Sequence, residues 1–479
     1  MASETTAKGT ILLVFSKALF LVGSVLIHVF LGRALGPESY GQYGLVMCIL
    51  LWFEVIVNSA IPWAVSKVIS EDRKLANNVF RQAIALQLLF SLTVLMIFVL
   101  LSSTLAQLFG DRAVKILLWW AALDIPFFAL LSVLLTYFNG LQQFGRQGIS
   151  SIGRIFFKVI ATVLLVVYGY SVTGALVGNI LGSALALVVA VFLLRLPSSM
   201  SQQVRLIRRV LDFGVPYTLF LLAAQLLLSL DLWSVKIFLK EVASAGFYIS
   251  AQTISRVPYF LFLGLTTALF PALSQSTSSG QADVSRIQIR QALRLLALTL
   301  LPAGALVSSA PGAVVGLFFG VHFGPAVPPL AMLTWGMILF TIFYTLAIIV
   351  SVAGKPLTAL LCSLTLILVD VILNWILVPR IELMGAAIAT TITSLLGTVV
   401  LGTLVFRQFQ VLIGGISLAK MVLIAALIFG LSALVPLEGS LFVLKCLFLF
   451  ALYVGGLAIL GEVGKEDFRR IRSLWPTFS

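Results

Sequence analysis

The chain has 479 residues, of which 61% are hydrophobic and only 10% are charged. This composition, with a mean hydropathy of +1.14, excludes a soluble globular or disordered protein and is typical of a polytopic membrane protein. The formal net charge of +14 results from 31 basic and 17 acidic residues. Because most basic residues fall in predicted loops on one side, this charge indicates membrane topology and contact with anionic lipid head groups, not nucleic-acid binding.

Apolar stretches of about 20 residues, each enough to cross a hydrocarbon core of about 30 Å, recur along the whole chain. Only helices satisfy their own backbone hydrogen bonds one segment at a time in lipid, so the sequence predicts an all-α polytopic membrane protein. We expect about 14 transmembrane helices, in chain order at about 9–32, 41–68, 82–102, 116–139, 148–169, 174–194, 213–238, 246–271, 292–319, 329–353, 357–378, 384–406, 419–436 and 440–461.

Lys and Arg residues set the predicted orientation of these spans. With the N-terminus in the cytoplasm, 21 of the 31 basic residues fall on the cytoplasmic side, 6 fall outside and 4 lie inside spans. This bias predicts a multi-pass protein of the cytoplasmic (inner) membrane with both termini in the cytoplasm. The first span is too long for the apolar region of a signal peptide, so we expect it to remain in the mature protein.

A weak internal repeat, with a period of about 205–214 residues, relates two halves of the chain. Gly41-Gln42-Tyr43 opens the second span as Gly246-Phe247-Tyr248 opens the eighth. An offset of six spans preserves orientation and predicts two parallel six-helix lobes around a central cavity, plus two C-terminal helices. The expected domains are an N-lobe (1–195), a basic cytoplasmic linker (196–212), a C-lobe (213–407), spans 13 and 14 (408–461) and a cytoplasmic tail (462–479).

Several short motifs resemble the polysaccharide-biosynthesis branch of the multidrug/oligosaccharidyl-lipid/polysaccharide exporter superfamily. The most specific are Leu31-Gly32-Arg33-Ala34-Leu35-Gly36-Pro37-Glu38-Ser39-Tyr40-Gly41 and Asp212-Phe213-Gly214-Val215-Pro216, with Ala245-Gly246-Phe247-Tyr248, Leu269-Phe270-Pro271-Ala272-Leu273-Ser274 and Gly464-Lys465-Glu466-Asp467 in support. The resemblance covers nearly the whole chain. It implies a flippase that moves an undecaprenyl-pyrophosphate-linked oligosaccharide from the inner to the outer leaflet by alternating access.

The same resemblance implies the partners of such a protein. They are a lipid-linked oligosaccharide and membrane lipids, with a polysaccharide polymerase or glycosyltransferases as candidate protein partners. The fourteen-span count is similar to that of lipid II flippases, in which the last two helices form a groove for the lipid tail. Because each lobe supplies half of the cavity, a monomer is the expected state.

Eight ionisable side chains lie inside the predicted spans, where each costs about 2.5–3.5 kcal/mol at the bilayer centre and usually faces a protein-lined cavity. Two carboxyl groups and one amide are predicted to lie at similar depth near the outer side of the membrane. They are Asp231 in span seven, and Asp370 and Asn374 one helical turn apart in span eleven. With Thr390 or Thr391 of span twelve, they offer the hard oxygen ligands that a small cation requires. We predict a sodium or proton coupling site there; the alternative is a pair of carboxylates that stabilises the lobe together with Lys236.

The buried cations predict substrate contacts. Arg256 lies in the middle of span eight and Lys17 in span one, and a guanidinium or ammonium group in a cavity suits a pyrophosphate. The alternatives are an ion pair of Arg256 with a buried acid and extension of Lys17 towards the cytoplasmic interface. Glu54, in span two, is a further substrate or proton candidate. Arg33 is expected at the outer rim, where its position in the family motif suggests a cavity role.

The remaining buried charges favour structural interpretations. Lys158 and Lys236 are expected to pair or to extend towards a span end, and Asp124 to satisfy a helix kink near Pro126. Neither a nucleotide-binding loop nor a catalytic serine, cysteine or zinc pattern is present, so we expect no enzyme and no cofactor beyond a coupling Na+ or H+. The energy must then come from an ion gradient or the membrane potential.

Rival functions share some of these features. The main alternative is a multidrug and toxic compound extrusion antiporter, whose cationic cargo would favour an acidic or aromatic cavity over the deep cations Lys17 and Arg256. A non-transporting scaffold would gain nothing from buried charges. A sugar-lipid ligase would need longer outer loops than this chain provides.

Overall fold

The computed structural model describes residues 2–194, 206–210, 215–279, 281–437 and 439–462, and within these ranges it contains helices and no strand. This confirms the predicted all-α class. By packing, the chain divides into two compact units, residues 1–246 and residues 247–479. The predicted linker 196–212 and tail 462–479 lie mostly outside the described residues, and the predicted lobe boundaries stay a prediction.

Among the described residues, ten helices begin in the first unit. They are α1 (Ala2–Glu71), α2 (Ala76–Leu108), α3 (Arg112–Ala122), α4 (Asp124–Gly140), α5 (Phe144–Leu165), α6 (Ser171–Leu193), α7 (Leu206–Arg209), α8 (Val215–Leu227), α9 (Leu230–Leu239) and α10 (Val242–Ser255). The second unit contains α11 (Val257–Ser278), α12 (Ala282–Ser309), α13 (Pro311–Phe318), α14 (Val327–Val352), α15 (Pro356–Phe409), α16 (Gly415–Leu434) and α17 (Gly439–Ile459).

Nine helical segments of the described chain are long and apolar enough to cross a membrane, or ten if the bent pair Leu221–Leu227 and Leu230–Leu239 forms one span. Three of the nine are 53, 50 and 54 residues long, about twice what one crossing needs. Each is interrupted, at Gly36, at Gly169 and at Ile381 with Glu382, where the backbone leaves helical angles. Dividing these three segments brings the count close to the fourteen predicted spans.

Residues far apart in sequence meet within these interrupted segments. Thr393 hydrogen-bonds to Asp370, 23 positions earlier, across the break in α15. A straight helix would separate the two residues by about 35 Å at 1.5 Å per residue. The two parts of α15 therefore fold back as a hairpin, which accounts for two of the predicted spans.

Three glycines spaced by four residues let α5 pack directly on α6. Gly174, Gly178 and Gly182 lie on one face of α6. A Cβ atom at Gly178 would lie 2.7 Å from the backbone nitrogen of Thr162, and one at Gly182 would lie 2.7 Å from the Cβ atom of Lys158. Such small-residue faces are a common way for membrane helices to approach closely. They hold the polar residues of α5 against those of α6.

Helices α3 and α4 join at Leu123, whose backbone angles stay helical. Pro126 has no amide hydrogen, so the carbonyl of Ala122 loses its helical partner. The amide of Leu123 bonds to the carbonyl of Trp120, three residues back, at 3.2 Å. Helix α4 starts at Asp124, which places this carboxyl group in the first helical turn inside the membrane segment. The prediction that Asp124 satisfies a helix kink stays a prediction.

The last two helices of the described chain pack in the second unit. Helix α16 packs against α12 and α17 packs against α16. Their contact is apolar, with Leu306 of α12, Met421 and Ile428 of α16 and Tyr453 of α17 in one buried cluster. These helices correspond to predicted spans 13 and 14.

Candidate functional site

In the first unit, four helices bring buried polar groups of opposite charge together. The guanidinium Nη2 atom of Arg154 in α5 lies 3.4 Å from Oε1 of Glu54 in α1 and 3.8 Å from Oδ2 of Asp124 in α4. From α6, Asn179 donates to the same Oδ2 atom at 2.9 Å, and Ser183 accepts from Nε of Arg154 at 3.2 Å. We call these five residues the Arg154 cluster.

The Arg154 cluster is almost closed to solvent. Asp124 is 0% exposed, Asn179 1% and Glu54 6%. The guanidinium of Arg154 also lies over the ring of Phe128, 4.0 Å from its centroid. Ionic groups are stable at this depth only when they are paired and hydrogen-bonded, because removing each from water costs several kcal/mol. The cluster meets that condition for most of its atoms.

Sequence reasoning identified only part of the Arg154 cluster. Glu54 is predicted from sequence as a substrate or proton candidate, with pairing to Lys17 or Arg256 as the alternative, whereas its salt-bridge partner in the structure is Arg154. A signal was available: Arg154 lies six residues inside predicted span five and one helical turn before Lys158. Asn179 and Ser183 carried no such signal, because uncharged polar residues are common in membrane helices.

In the second unit, the two parts of α15 assemble a second polar site. Asn374 donates through Nδ2 to the backbone oxygen of Asp370 at 2.9 Å and to its Oδ2 atom at 3.2 Å. The hydroxyl of Thr393 donates to Oδ1 of Asp370 at 3.2 Å. Asp370 is 1% exposed and Asn374 0%, and Oδ1 of Asn374 is buried with no hydrogen-bond partner. We call these three residues the Asp370 cluster.

The other predicted cation ligands lie as follows. Thr391 hydrogen-bonds to the carbonyl oxygens of Ala387 at 2.7 Å and Met332 at 3.4 Å, so its hydroxyl faces α14. Thr390 is buried and donates to the carbonyl of Ala386 at 3.2 Å. Asp231 belongs to the first unit, where it is 2% exposed at the start of α9, just after the 41° bend. The four-residue set predicted from sequence stays a prediction.

Lys236 has a structural contact in the first unit. It is 1% exposed, and its Nζ atom lies 4.0 Å from Oδ2 of Asp111, which also accepts a hydrogen bond from Gln42 at 3.1 Å. The other oxygen of Asp111 caps the start of α3 by accepting from the amide of Ala113 at 3.0 Å. The contact links α9 to the connection between α2 and α3, in line with the structural interpretation of Lys236.

The predicted pyrophosphate ligands occupy different environments. Arg256 is half-buried between α10 and α11, where Pro258 follows two residues later. Arg33 is exposed, close to the interruption of α1 at Gly36. The side chain of Lys17 lies outside the described residues. Their predicted roles therefore stay predictions.

An apolar groove lies in the second unit, with a cavity volume of about 500 Å³. Helices α12 and α14, the second part of α15 and the start of α16 form its walls. Residues that line it include Leu296, Leu300, Ile342, Val399, Gly402 and Phe406. Apart from two threonine side chains the lining is hydrocarbon, so the groove suits an acyl or polyprenyl chain.

The long apolar helices and the buried charged groups define the class: a multi-pass helical membrane protein. Residues 30–328 match the sequence family described as polysaccharide biosynthesis protein. Because the match covers more than half of the chain, the chain belongs to this family. This confirms the resemblance found in the short motifs.

Two curated relatives align with part of the chain. Stage V sporulation protein B of Bacillus subtilis (strain 168) is 22% identical over 333 residues, 62% of this chain and 64% of the relative. The probable low-salt glycan biosynthesis flippase Agl15 of Haloferax volcanii is 25% identical over 212 residues, 43% of this chain and 44% of the relative. The aligned regions thus span less than two thirds of each relative's length.

Solved structures share the fold over most of the chain. An inward closed conformation of the lipid II flippase MurJ matches with a TM-score of 0.76 and 17% identity, over 95% of this chain and 98% of the other. An inward-facing multidrug resistance MATE family transporter of the MOP superfamily matches with a TM-score of 0.70 and 14% identity, over 82% and 96%. At these identities the likeness shows the fold alone.

Proposed function

We propose that this protein is a flippase that moves an undecaprenyl-pyrophosphate-linked oligosaccharide from the inner to the outer leaflet by alternating access. The observation that carries the proposal is the apolar groove of about 500 Å³ in a family described by polysaccharide biosynthesis. A lipid-linked sugar needs an apolar path for its tail, whereas a small drug does not. The glycan flippase among the relatives supports the same cargo class.

An ion gradient or the membrane potential drives the cycle in this proposal. Asp370, Asn374 and Thr393 supply carboxylate, amide and hydroxyl oxygens in one buried cluster, and Oδ1 of Asn374 is an acceptor with no protein donor. Hard oxygen ligands of this kind suit Na+. We include Asp231 and Thr390 or Thr391 as further ligands, and a proton as the alternative coupling ion.

Cationic side chains hold the pyrophosphate in this proposal. Arg256 offers a planar fork for two phosphate oxygens and Lys17 a single point charge, with Arg33 at the outer rim. Glu54 was a candidate for substrate contact, but its salt bridge with Arg154 favours a role inside the protein. Helices α10 and α11 meet at Arg256, so movement of this residue would follow any change of angle between them.

The cellular setting follows from the charge bias of the loops. Both termini are cytoplasmic and the protein resides in the cytoplasmic membrane as a monomer of two parallel lobes, 1–195 and 213–407. Its partners are membrane lipids, the lipid-linked oligosaccharide and, in the biosynthetic sequence, a polysaccharide polymerase or glycosyltransferases.

Reconstitution tests this function directly. Purified protein in proteoliposomes is supplied with a fluorescent undecaprenyl-pyrophosphate sugar, and the fraction that reaches the opposite leaflet is measured under imposed sodium, proton and electrical gradients. Wild type should accelerate transfer, Arg256→Ala should reduce it at least tenfold, and Arg380→Ala should not, because Arg380 is exposed. Efflux of cationic drugs without any transfer of lipid-linked sugar would instead favour the multidrug antiporter.

A further inference from the structure

Two carboxyl groups of the first unit share a single guanidinium. Nη2 of Arg154 contacts Glu54 at 3.4 Å and Asp124 at 3.8 Å, and both carboxyl groups are at least nine-tenths buried. Within the described residues, Lys158 of the same helix is a second cation that interacts electrostatically with both acids, although it forms no contact ion pair with either. One positive charge at contact distance thus faces two acidic groups.

A buried arrangement of two acids and one base favours an additional proton. Two carboxylates that approach one another in a medium of low dielectric constant cannot both remain charged without strong repulsion, and one of them binds a proton instead. The guanidinium stays charged, so it can compensate the one remaining carboxylate. Arg154 and the carboxylate that stays charged then form a neutral ion pair, which a membrane interior tolerates better than an unpaired charge.

Hydrogen-bond acceptors without a donor in the Arg154 cluster also favour an additional proton. Oδ1 of Asp124 and Oδ1 of Asn179 are both buried without a hydrogen-bond partner, and Asn179 points into the cluster because its Nδ2 atom donates to Asp124. Two acceptors therefore lack a donor in a site that is 0–1% exposed. A proton on a carboxyl oxygen converts that acceptor into a donor and removes part of the deficit.

A metal ion would fit this site poorly. The guanidinium of Arg154 lies within 4 Å of both carboxyl groups and would repel a second cation at the same position. A proton adds to a carboxyl oxygen as a covalent bond and places no separate cation beside Arg154. This separates the Arg154 cluster from the Asp370 cluster, which contains oxygen ligands and no cation among its three residues.

We propose that Glu54 and Asp124 hold one exchangeable proton between them, and that its uptake and release drive the helix movements of transport. This inference rests on the proposed transport function. Arg154 acts as a fixed counter-charge, and Asn179 orients the carboxyl group of Asp124. Protons enter through Glu54, because Glu54 and Arg154 keep 7% and 18% of their side chains exposed while Asp124 is enclosed.

The position of Asp124 links proton uptake to helix geometry. Asp124 stands in the first turn of α4, two residues before Pro126, and its carboxylate is negatively charged when it pairs with Arg154. Protonation removes that charge and weakens the attraction to Arg154. The contacts that join α1, α4 and α5 then loosen. Proton release restores them.

The groups that face this carboxyl pair come from every helix packed on it. They are Tyr43 on α1, Arg154 and Lys158 on α5, and Asn179 and Ser183 on α6. Tyr43 is 1% exposed and its ring packs edge-on against His28. Glu54 and Asp124 are the acidic side chains of the set.

Infrared difference spectroscopy of the purified full-length protein tests the proton directly. A step from about pH 8 to about pH 6 leaves exposed carboxylates ionised, so a protonated-carboxyl band must come from a buried carboxyl group. Wild type should show this band, and Glu54→Gln and Asp124→Asn should each abolish it. Glu54→Asp should fold and move the band in frequency. Asp370→Asn, the matched control, should retain it.

Transport measurements separate this inference from the proposed function. If wild type shows the band but transfers no lipid-linked sugar, the proton site stands and the flippase proposal fails. If wild type transfers the sugar at a rate that does not depend on the proton gradient, and no band appears, the proposed proton site is wrong. The proposed flippase function is then retained. A band that survives in both Glu54→Gln and Asp124→Asn would also overturn it.

Discussion

Gly41 and Gly246 pack backbone against backbone. A Cβ atom on Gly41 would lie 2.7 Å from the amide nitrogen of Gly246 and 2.7 Å from the carbonyl oxygen of Val242, and one on Gly246 would overlap the carbonyl of Pro37. The sequence repeat places these two glycines at corresponding positions, at the starts of spans two and eight. The contact brings the part of α1 that follows its interruption close to the start of α10 within the first unit.

A side chain at Gly41 should therefore destabilise the protein. Gly41→Ala inserts a methyl group against fixed backbone atoms, and overpacking of this kind costs about 1–3 kcal/mol. The thermal midpoint in detergent should fall clearly below that of wild type. Gly145→Ala is the control, because no atom lies within 4 Å of a Cβ there. Equal midpoints for the two variants would contradict the close approach.

The sequence could predict that Asp370 and Asn374 of span eleven share one helix face, but not which hydroxyl of span twelve hydrogen-bonds to Asp370. Asp370 and Asn374 are one turn apart, so their shared face follows from helical periodicity, and the structure shows them hydrogen-bonded. The hydroxyl is that of Thr393. Thr390, Thr391 and Thr393 differ by one to three steps of about 100° around the helix, and only the packing of the hairpin selects one.

The ion pairs of Arg154 with Glu54 and Asp124 could not be predicted from the sequence for a related reason. Counting residues gives the depth of a side chain along a span, but the face that meets a neighbour depends on helix packing. In this protein the packing is set by the glycine face of α6, where Gly182 lies against Lys158. The glycine spacing was visible in the sequence, yet its partner helix was not. The all-α class and the spans, by contrast, follow from hydropathy alone.

Removal of the Thr393 hydroxyl should weaken cation binding at the Asp370 cluster. Thr393→Val keeps the branched shape but loses a hydrogen bond to a charged group, worth about 1.5–3 kcal/mol. The sodium concentration that half-saturates the thermal stabilisation should rise about tenfold or more. Thr365→Val, on the same helix, is the control, since Thr365 is exposed and bonds only to the carbonyl of Leu361. An unchanged sodium response would remove Thr393 from the site.

A larger side chain at Gly402 should obstruct the apolar groove. Gly402 lines the groove, and a Cβ there would have only Leu346 within 4 Å, so Gly402→Leu can fold while filling the space. The half-saturating concentration of a long-tailed polyprenyl substrate should rise, whereas that of a short-tailed analogue should change little. Gly430→Leu, on α16 and away from the groove lining, should affect neither. Equal effects on both tails would contradict a tail-binding groove.

Lys445 should stabilise the contact between the last two helices of the described chain. Its ammonium group donates to the carbonyl oxygens of Ser432 at 3.1 Å and Val435 at 3.0 Å, which α16 leaves without helical partners. Lys445→Met keeps the apolar stem but leaves these acceptors unsatisfied, at a cost of about 1–3 kcal/mol. The thermal midpoint should fall, while Lys355→Met, at an exposed position, should leave it unchanged. A stable Lys445→Met protein would show that water replaces the ammonium group.

Acid should weaken the contact between Glu462, which follows α17, and helix α16. The hydrogen bond from Ser417, followed by the interactions with Lys420, lowers the pKa of the Glu462 carboxyl below its usual value. A lowered folded-state pKa stabilises the protein above the unfolded pKa, near 4.3, and this stability is lost as pH falls through the folded value. Ser417→Ala should therefore melt below wild type at neutral pH, and the gap should shrink at acid pH.

The exposed hydroxyl of Ser70 provides the control for this measurement. Ser70 bonds to the carbonyl oxygen of Lys67 at 2.7 Å and contacts no carboxylate, so Ser70→Ala should show the same small effect at every pH. The measurement is the thermal midpoint of both variants and wild type across an acid series. If the Ser417→Ala gap widened as pH fell, protonation of Glu462 would be strengthening the contact, and the assigned direction of its pKa shift would be wrong.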